Sequence, residues 1–217
     1  MTEKKKFVAS FSTGKDSSLA LYKAIEADME PLGLLITYNT NAEKAWFHGV
    51  GRDVLDRLSA ALEIPIDLIM TDGTDYEERF EEKLREWKGR GAEYCVFGDI
   101  DLEAHLKWDK DRCEAAGLTG YFPLWQMDRK EAVKELLKAG FTARITTVNT
   151  KYMGAEYLGK ALSLELLTRL AAEGVDVCGE NGEYHTLVTD GPLFKQTFDY
   201  EFGKTVFDHG YAKLMVE

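Results

Sequence analysis

The sequence predicts an α/β protein: a doubly wound parallel sheet followed by a smaller C-terminal α+β subdomain. Short apolar runs alternate with amphipathic stretches up to about residue 125. The runs lack strict apolar–polar alternation, which is typical of parallel strands buried on both faces. A loop of small and hydroxyl residues separates the first run from the first amphipathic stretch. Such alternation implies right-handed crossovers, with ligands bound at the carboxyl ends of the strands where the strand order reverses.

The elements of the first part follow from this pattern. Apolar runs predict strands at residues 6–12, 32–38, 64–70, 94–98 and 120–123. Apolar residues spaced three and four apart predict helices at residues 15–27, 50–62, 75–88 and 102–116. In the last of these helices, the charged run 109–112 predicts a solvated face.

The pattern changes after about Trp125. Asp128 is the predicted N-cap of a helix that runs to about Ala139 and is ended by Gly140. The elements predicted beyond it are a strand at 141–148, a helix at 157–172 and β-like segments at 186–189, 195–200 and 211–216. We therefore divide the chain at this point, into residues 1–125 and residues 126–217.

Composition narrows the functional class. The chain has 217 residues and a net charge of −11, which argues against a large nucleic-acid interface. No apolar run approaches the roughly 20 residues that span a bilayer, and the basic start has no signal-peptide cleavage site. Three separated cysteines without a C-x-x-C pair predict thiols packed in a reducing compartment. We expect a cytoplasmic protein without a membrane partner.

The most informative segment follows the first apolar run. It consists of Ser12, Thr13, Gly14, Lys15, Asp16, Ser17 and Ser18. A helix N-terminus offers unpaired N–H groups and a partial positive charge, and small residues let an anion approach closely. Lys15 adds a cation, and Asp16 could hold a metal or orient the loop. The spacing is neither the Walker pattern nor the dinucleotide pattern. The alternative is a plain Ser/Thr N-cap on the first helix.

A second dense segment lies late in the chain. It consists of Gly179, Glu180, Asn181, Gly182, Glu183, Tyr184, His185 and Thr186. Two carboxylates three residues apart, set between residues that permit unusual backbone angles, can be held in fixed directions. The alternative is a solvated turn.

These segments resemble the diphthine–ammonia ligase (diphthamide synthetase) family, a branch of the ATP pyrophosphatase, or PP-loop, superfamily. The family motifs S-G-G-K-D-S, G-D-I, G-E-G-G-E-[Y/F]-E-T and D-x-P-L-F-K have counterparts in the same order, at residues 12–17, 98–100, 179–186 and 190–195. The resemblance covers nearly the whole chain. Thr13, Asn181 and His185 depart from the pattern, and His185, in place of a glutamate, bears on the identity of the substrate.

The resemblance implies a fold like that of the adenine nucleotide alpha hydrolases and an ATP-dependent amidation. A carboxylate, that of diphthine on elongation factor 2 in this family, is adenylated and then attacked by ammonia, with release of AMP and pyrophosphate. The implied cofactors are ATP and Mg²⁺, and the implied partners are ATP, ammonia and the carboxylate substrate. Residues 1–125 would bind the nucleotide, and residues 126–217 would hold the substrate and ammonia.

Candidate site residues follow from the matched motifs. Lys15, Asp16, Glu180 and Glu183 are the catalytic candidates, with Asp16 also the Mg²⁺ ligand and the two glutamates able to hold ammonium, act as a base or orient the substrate. The residues expected to bind the nucleotide are Ser12, Thr13, Gly14, Ser17, Ser18, His48 and Asp99.

Two of these nucleotide-binding candidates have alternatives. His48 could meet the adenine or a phosphate, or it could be a surface or packing histidine. Asp99 could meet a metal ion or the ribose, or it could be a helix N-cap.

Two other functions stay open at this point. One is another PP-loop enzyme such as a tRNA-modifying thiolase, for which Cys113 or Cys178 could carry sulfur. The other is an ATP-binding sensor module without catalysis. The sequence leaves the acceptor and the oligomeric state open, a homo-oligomer among the options.

Overall fold

The computed structural model describes residues 4–46 and 49–217, and these fall into two units that interleave along the chain. The first unit contains residues 4–12, 16–46 and 63–127. The second contains residues 13–15, 49–62 and 128–217. His48, a candidate for nucleotide binding, lies outside the described residues.

Ten strands and six α-helices make up the described chain. The strands are β1 (Lys6–Ser10), β2 (Glu30–Asn39), β3 (Lys44–Ala45), β4 (Ile66–Thr71), β5 (Tyr94–Val96), β6 (Thr119–Tyr121), β7 (Thr142–Asn149), β8 (Tyr184–Asp190), β9 (Phe202–Asp208) and β10 (Tyr211–Val216). The helices are α1 (Lys15–Glu26), α2 (Arg52–Leu62), α3 (Tyr76–Gly89), α4 (Glu103–Ala116), α5 (Arg129–Lys138) and α6 (Leu164–Ala172). None of the helices in the described part of the chain combines the length and the apolar character that crossing a membrane requires.

The sheet of the first unit confirms the predicted doubly wound parallel arrangement. Its parallel strands lie in the order β4-β2-β1-β5-β6. The chain builds outward from β1 to β2 and β4, and then returns to the other side of β1 to add β5 and β6. The order therefore reverses between β1 and β5, and a ligand crevice is expected at their carboxyl ends. The two-residue strand β3 pairs antiparallel with the end of β2 and was too short to be predicted.

The two longest helices of the first unit, α3 and α4, contribute buried side chains to its core. Phe80, Leu84 and Trp87 recur at helical spacing along α3 and are buried. They pack in one cluster with the buried thiols Cys95 of β5 and Cys113 of α4. Burial of each large side chain contributes about 1.5–3 kcal/mol. These two cysteines therefore pack as small apolar residues, as predicted.

The second unit is α+β, as predicted, with an antiparallel sheet in the order β8-β7-β10-β9. Helix α5 begins where the sequence indicated, because the Asp128 side chain accepts hydrogen bonds from the backbone N–H groups of Lys130 and Glu131. Gly140, with φ +92°, follows the end of this helix. Both predicted boundaries of α5 are confirmed.

Two predicted elements of this unit are wrong. The helix expected at 157–172 begins only at Leu164, because Ser163 caps it by accepting from Leu166 N. Residues Ala155–Tyr157 form a separate 3₁₀ turn. The strand expected at 195–200 is absent from that described segment.

The segment 195–200 has other backbone and side-chain partners. The N–H groups of Lys195 and Gln196 both donate to the Ala61 carbonyl near the end of α2. Phe198 stacks on Tyr200 with ring centroids 5.3 Å apart. This aromatic-rich run thus buries Phe198 without joining the sheet, and β9 forms a few residues later.

Candidate functional site

Two loops of the first unit follow the strands at the reversal point. The loop after β1 turns on itself, since Ser12 N donates to Ser17 Oγ at 3.2 Å and the two serine hydroxyls lie 3.1 Å apart. Asp16 lies in the first turn of α1, and Ser18 is buried on the same helix. The start of α1 thus faces the end of the sheet where an anion is expected.

Gly98, in the loop after β5, lies directly against this first turn. A Cβ atom built at Gly98 would be 2.8 Å from both the carbonyl carbon of Asp16 and the backbone nitrogen of Ser17. Real Cβ atoms do not approach backbone that closely. Glycine is therefore required here for close approach, and the contact fixes the two loops against each other within the first unit.

Replacing Gly98 by alanine should disrupt this contact. We expect a loss of about 1–3 kcal/mol in the free energy of unfolding, because the methyl group would force backbone apart. ATP affinity should fall with it. Gly89→Ala is the matched control, since no atom of the described residues lies within 4 Å of a Cβ at this last residue of α3. Chemical denaturation and calorimetric ATP titration measure both effects, and equal stability of the two variants would contradict the prediction.

The middle of the loop after β1 belongs to the second unit, where β8 binds it. The Thr13 carbonyl accepts from Val188 N at 2.9 Å. The backbone N–H of Lys15 donates to Thr186 Oγ1 at 3.1 Å. Residues 13–15 are therefore held along the outer strand of the antiparallel sheet.

Thr13 occupies a strained position. Its φ is +70°, a conformation that β-branched residues rarely adopt. Its side chain is fully buried, and its Oγ1 has no hydrogen-bond partner among the described residues. The departure from the family glycine at this position thus stores strain in the loop.

We expect Thr13→Gly to raise the free energy of unfolding by about 1 kcal/mol. Relief of the left-handed strain, about 1–2 kcal/mol, and removal of the unpartnered hydroxyl outweigh the lost packing. Thr13→Ser is the control, since it keeps the strain and the hydroxyl but loses a buried methyl group, and it should be less stable than the wild type. Denaturant unfolding gives the free energy of unfolding of each variant. A glycine variant less stable than the serine variant would refute the inference that Thr13 is strained.

Lys15 and Glu180 form a largely buried ion pair in the second unit. Lys15 Nζ lies 3.7 Å from Glu180 Oε1, with side chains 7% and 17% exposed. Lys15 Nζ also lies 5.9 Å from the centre of the Tyr184 ring, within cation–π range. The charge of Glu180 is therefore balanced by a lysine from the loop.

Glu183 has a different environment. The residue is only 5% exposed, and its carboxylate accepts from Asn181 N at 3.0 Å and from Asn181 Nδ2 at 3.1 Å. Asn181 Oδ1 in turn accepts from Arg129 Nη1 at 3.4 Å, and Arg129 pairs with Asp176 at 2.5 Å. Glu183 is thus a buried carboxylate held by neutral donors, and its surroundings are not a solvated turn. Asn181 holds it through both its backbone and its side chain.

Asp99 is not a helix N-cap. Helix α4 is preceded by Leu102, which makes no side-chain cap. Asp99 Oδ1 lies 3.2 Å from His105 Nδ1, and the Asp99 carboxyl also interacts with Asp109. The N-cap alternative for Asp99 is therefore wrong.

Asp109 is the residue that the sequence reasoning missed. It was expected on a solvated helix face, yet it is only 6% exposed. Burial, reinforced by the adjacent Asp99 carboxylate, raises the pKa of Asp109 to about 9. The signal was present in the sequence, because Leu106, Asp109 and Cys113 share the buried stripe of α4 at spacings of three and four.

Comparisons with known proteins agree with this arrangement of motifs. The sequence model of the diphthamide synthase N-terminal domain matches residues 5–120, and that of the diphthamide synthase C-terminal domain matches residues 128–215. A diphthine–ammonia ligase of Saccharomyces cerevisiae is 26% identical over 97% of this chain and 34% of its own length. Those of Schizosaccharomyces pombe and Danio rerio are 25% and 23% identical, over 88% and 95% of this chain and 35% and 91% of their own lengths. The chain spans about a third of the length of the two fungal relatives.

Proposed function

Because the chain belongs to the diphthamide synthase family, we propose that it is an ATP-dependent, AMP-forming carboxylate–ammonia ligase. The observation that carries the proposal is the loop after β1, which enters α1 at the reversal point of the sheet and is closed against Gly98. The relatives' name, diphthine–ammonia ligase, supports a diphthine-like acceptor. Elongation factor 2 as the carrier of this acceptor is part of our proposal. We assign nucleotide binding to residues 1–125, and the ammonia and acceptor site to residues 126–217.

In the first step, a carboxylate oxygen of the acceptor attacks the α-phosphorus of ATP. The bond between this phosphorus and the bridging oxygen breaks, and pyrophosphate leaves with its electron pair. Backbone N–H groups at the start of α1 and the Lys15 ammonium stabilise the charge on the leaving pyrophosphate. The product is an acyl adenylate, whose carbonyl carbon now has AMP as its leaving group.

In the second step, the nitrogen of ammonia attacks that carbonyl carbon. The bond to AMP breaks, the amide forms, and the nitrogen loses a proton to a base. Glu183 is our candidate base, since its buried carboxylate has only neutral donors among the described residues. Glu180 is already paired with Lys15, so its role is to hold that lysine.

The donor set also fits Mg²⁺. Asp16 offers a carboxylate in the first turn of α1, beside N–H groups suited to phosphate, and Mg²⁺ prefers carboxylate and phosphate oxygens. Bound there, the ion would neutralise phosphate charge. We assign Asp99 to a ribose hydroxyl, because its carboxyl already interacts with Asp109 and His105. Three cysteines without a disulfide suit the reducing cytoplasm, where we place the reaction.

The proposal is tested by following oxygen from the acceptor into AMP. The protein is incubated with ATP, Mg²⁺, ammonium and a panel of carboxylates labelled with ¹⁸O, including a diphthine-containing peptide. We expect AMP and pyrophosphate in equal amounts, with one labelled oxygen in each AMP. Release of ADP, or AMP without the label, would refute adenylation of the carboxylate. Bound but uncleaved ATP across the panel would favour the sensor module.

The thiolase alternative gains no support from the cysteines. All three are buried, so each would need the chain to open before it could carry sulfur to a substrate. The net charge of −11 also disfavours tRNA.

A further inference from the structure

We propose that Asp109 is a positioning residue for the nucleotide: its buried carboxyl group donates a hydrogen bond to Asp99 and orients the Asp99 carboxylate at the carboxyl end of β5. The inference rests on the proposed function, because the group oriented by Asp99 is taken to be the ribose of ATP. Asp109 itself touches neither substrate nor nucleotide in this proposal.

The first support is geometric. Asp99 directly follows Gly98, whose Cα is held against the first turn of α1. Asp109 lies on the buried stripe of α4, and its buried Oδ2 accepts no hydrogen bond from the described residues. The Asp99 side chain is 22% exposed, whereas Asp109 is 6% exposed. The more exposed member of the pair is therefore the one able to meet a ligand.

The second support is electrostatic. Two adjoining carboxyl groups cannot both be ionised cheaply, so the pair holds one proton at neutral pH. The proton belongs on Asp109, which is more deeply buried, and the charge on Asp99, which His105 can also contact. A hydrogen bond from Asp109 to the ionised Asp99 then fixes the direction of the Asp99 carboxylate.

Among the described residues, the other groups that interact with Asp109 include no cation. Cys113 of α4, Cys95 of β5 and Tyr76 at the start of α3 each interact electrostatically with Asp109. Burial, the largest cause in each case, raises the pKa of the Cys95 thiol and of the Tyr76 hydroxyl, so both stay neutral at neutral pH. Arg112 on the same helix pairs instead with Glu77 and Glu81. The proton is therefore the group that neutralises Asp109.

This arrangement makes nucleotide binding depend on pH. The pKa of Asp109 is raised from its usual 3.8 to about 9. Below that pH the proton is present and Asp99 is held in place. Above it, a second carboxylate forms and repels Asp99, the Asp99 carboxylate is no longer held in place, and the affinity for ATP falls.

The test measures the dissociation constant of Mg–ATP by calorimetry between about pH 7 and about pH 10.5 for four proteins. The wild type should lose about tenfold in affinity as Asp109 ionises, a difference of about 1.4 kcal/mol. Asp109→Asn keeps a donor and cannot ionise, so its affinity at pH 7 should stay within about threefold of the wild type and its alkaline loss should be smaller. Asp109→Leu removes the donor and should bind about tenfold more weakly already at pH 7. Asp111→Asn, the same change at a partly exposed position of α4 that pairs with Lys107, should follow the wild type throughout.

Lys15 and His105 are present in every variant, so differences between the variants report on Asp109. An alkaline loss in Asp109→Asn equal to that of the wild type would overturn the inference, as would wild-type affinity in a folded Asp109→Leu at pH 7.

A second measurement does not depend on ATP. Because the folded pKa of Asp109 lies above its usual value, its contribution to stability is present at low pH and is lost as the pH rises towards about 9. The melting temperature of the wild type should therefore fall more steeply than that of Asp109→Asn between about pH 4 and about pH 9. If the melting temperatures of the two proteins fall equally steeply with pH, the inference that Asp109 and Asp99 share a proton is overturned. If they fall differently but neither protein binds ATP at any pH, the shared proton stands, whereas the proposed function and the positioning role of Asp109 are both refuted.

Discussion

Replacing Lys15 by methionine should reduce AMP formation by at least about 10²–10³-fold, the usual cost of removing one group that stabilises charge in a transition state. Lys15 is the cation of the loop after β1, and its ammonium lies in a largely buried position. Methionine keeps most of the side-chain volume and removes the charge. The measurement is the release of AMP and pyrophosphate under saturating ATP, so that a change in binding does not hide the change in rate.

The same substitution should also destabilise the protein, because it leaves Glu180 buried without its partner. We expect a loss of about 2–4 kcal/mol in the free energy of unfolding, at the lower end for a pair whose members are 3.7 Å apart. The double variant Lys15→Met/Glu180→Gln should recover much of this stability and none of the activity. Recovery of activity in the double variant would mean that Lys15 acts only as a structural partner of Glu180.

Replacing Glu183 by glutamine should separate the two chemical steps. Amide formation should fall by about 10²–10⁴-fold, the range for loss of a general base. Affinity for ATP should change by less than about threefold, because the proposed first step uses other residues. The exchange of labelled pyrophosphate into ATP reports the first step alone, and amide yield reports both.

The matched control for Glu183→Gln is Glu165→Gln, the same change at an exposed position in the first turn of α6. It should leave both readouts unchanged. A normal amide yield in Glu183→Gln would remove this residue from the chemistry. Equal losses of exchange and of amide would instead place Glu183 in the first step or in folding.

The parallel strands of the first sheet could be predicted because strands buried on both faces have continuous apolar sequences. The apolar runs of β1, β2, β4, β5 and β6 are each local in the sequence. The loop after β1 combines small residues with charged ones, which a simple helix cap does not require. The strand β9 could not be found in this way, because it has an exposed, polar face and follows an aromatic-rich run that looks more strand-like. Tertiary packing of Phe198 and Tyr200 decided between the two segments.

The pairing within the candidate site could not be predicted from local pattern. Lys15 and Glu180 lie in distant segments, and nothing in either segment specifies the other as its charge partner. Glu183, by contrast, is held by Asn181 two residues away, so the local sequence contains both partners of that contact. The prediction of a solvated position for Asp109 was wrong because it relied on the neighbouring charged residues. The position of Asp109 on the apolar stripe of α4 indicates burial instead.

The contacts between the loop after β1 and β8 have a consequence for biosynthesis. Lys15 N donates a hydrogen bond to the Oγ1 atom of Thr186, which lies 171 positions later in the sequence. Val188 N likewise donates to the carbonyl oxygen of Thr13. A ribosome adds this whole stretch of chain after the loop before these partners exist, and such distant pairings form late because the intervening chain must first be closed into a loop. A nascent N-terminal fragment therefore lacks the hydrogen bonds that shape residues 13–15, so binding of ATP should not help the early stages of its folding.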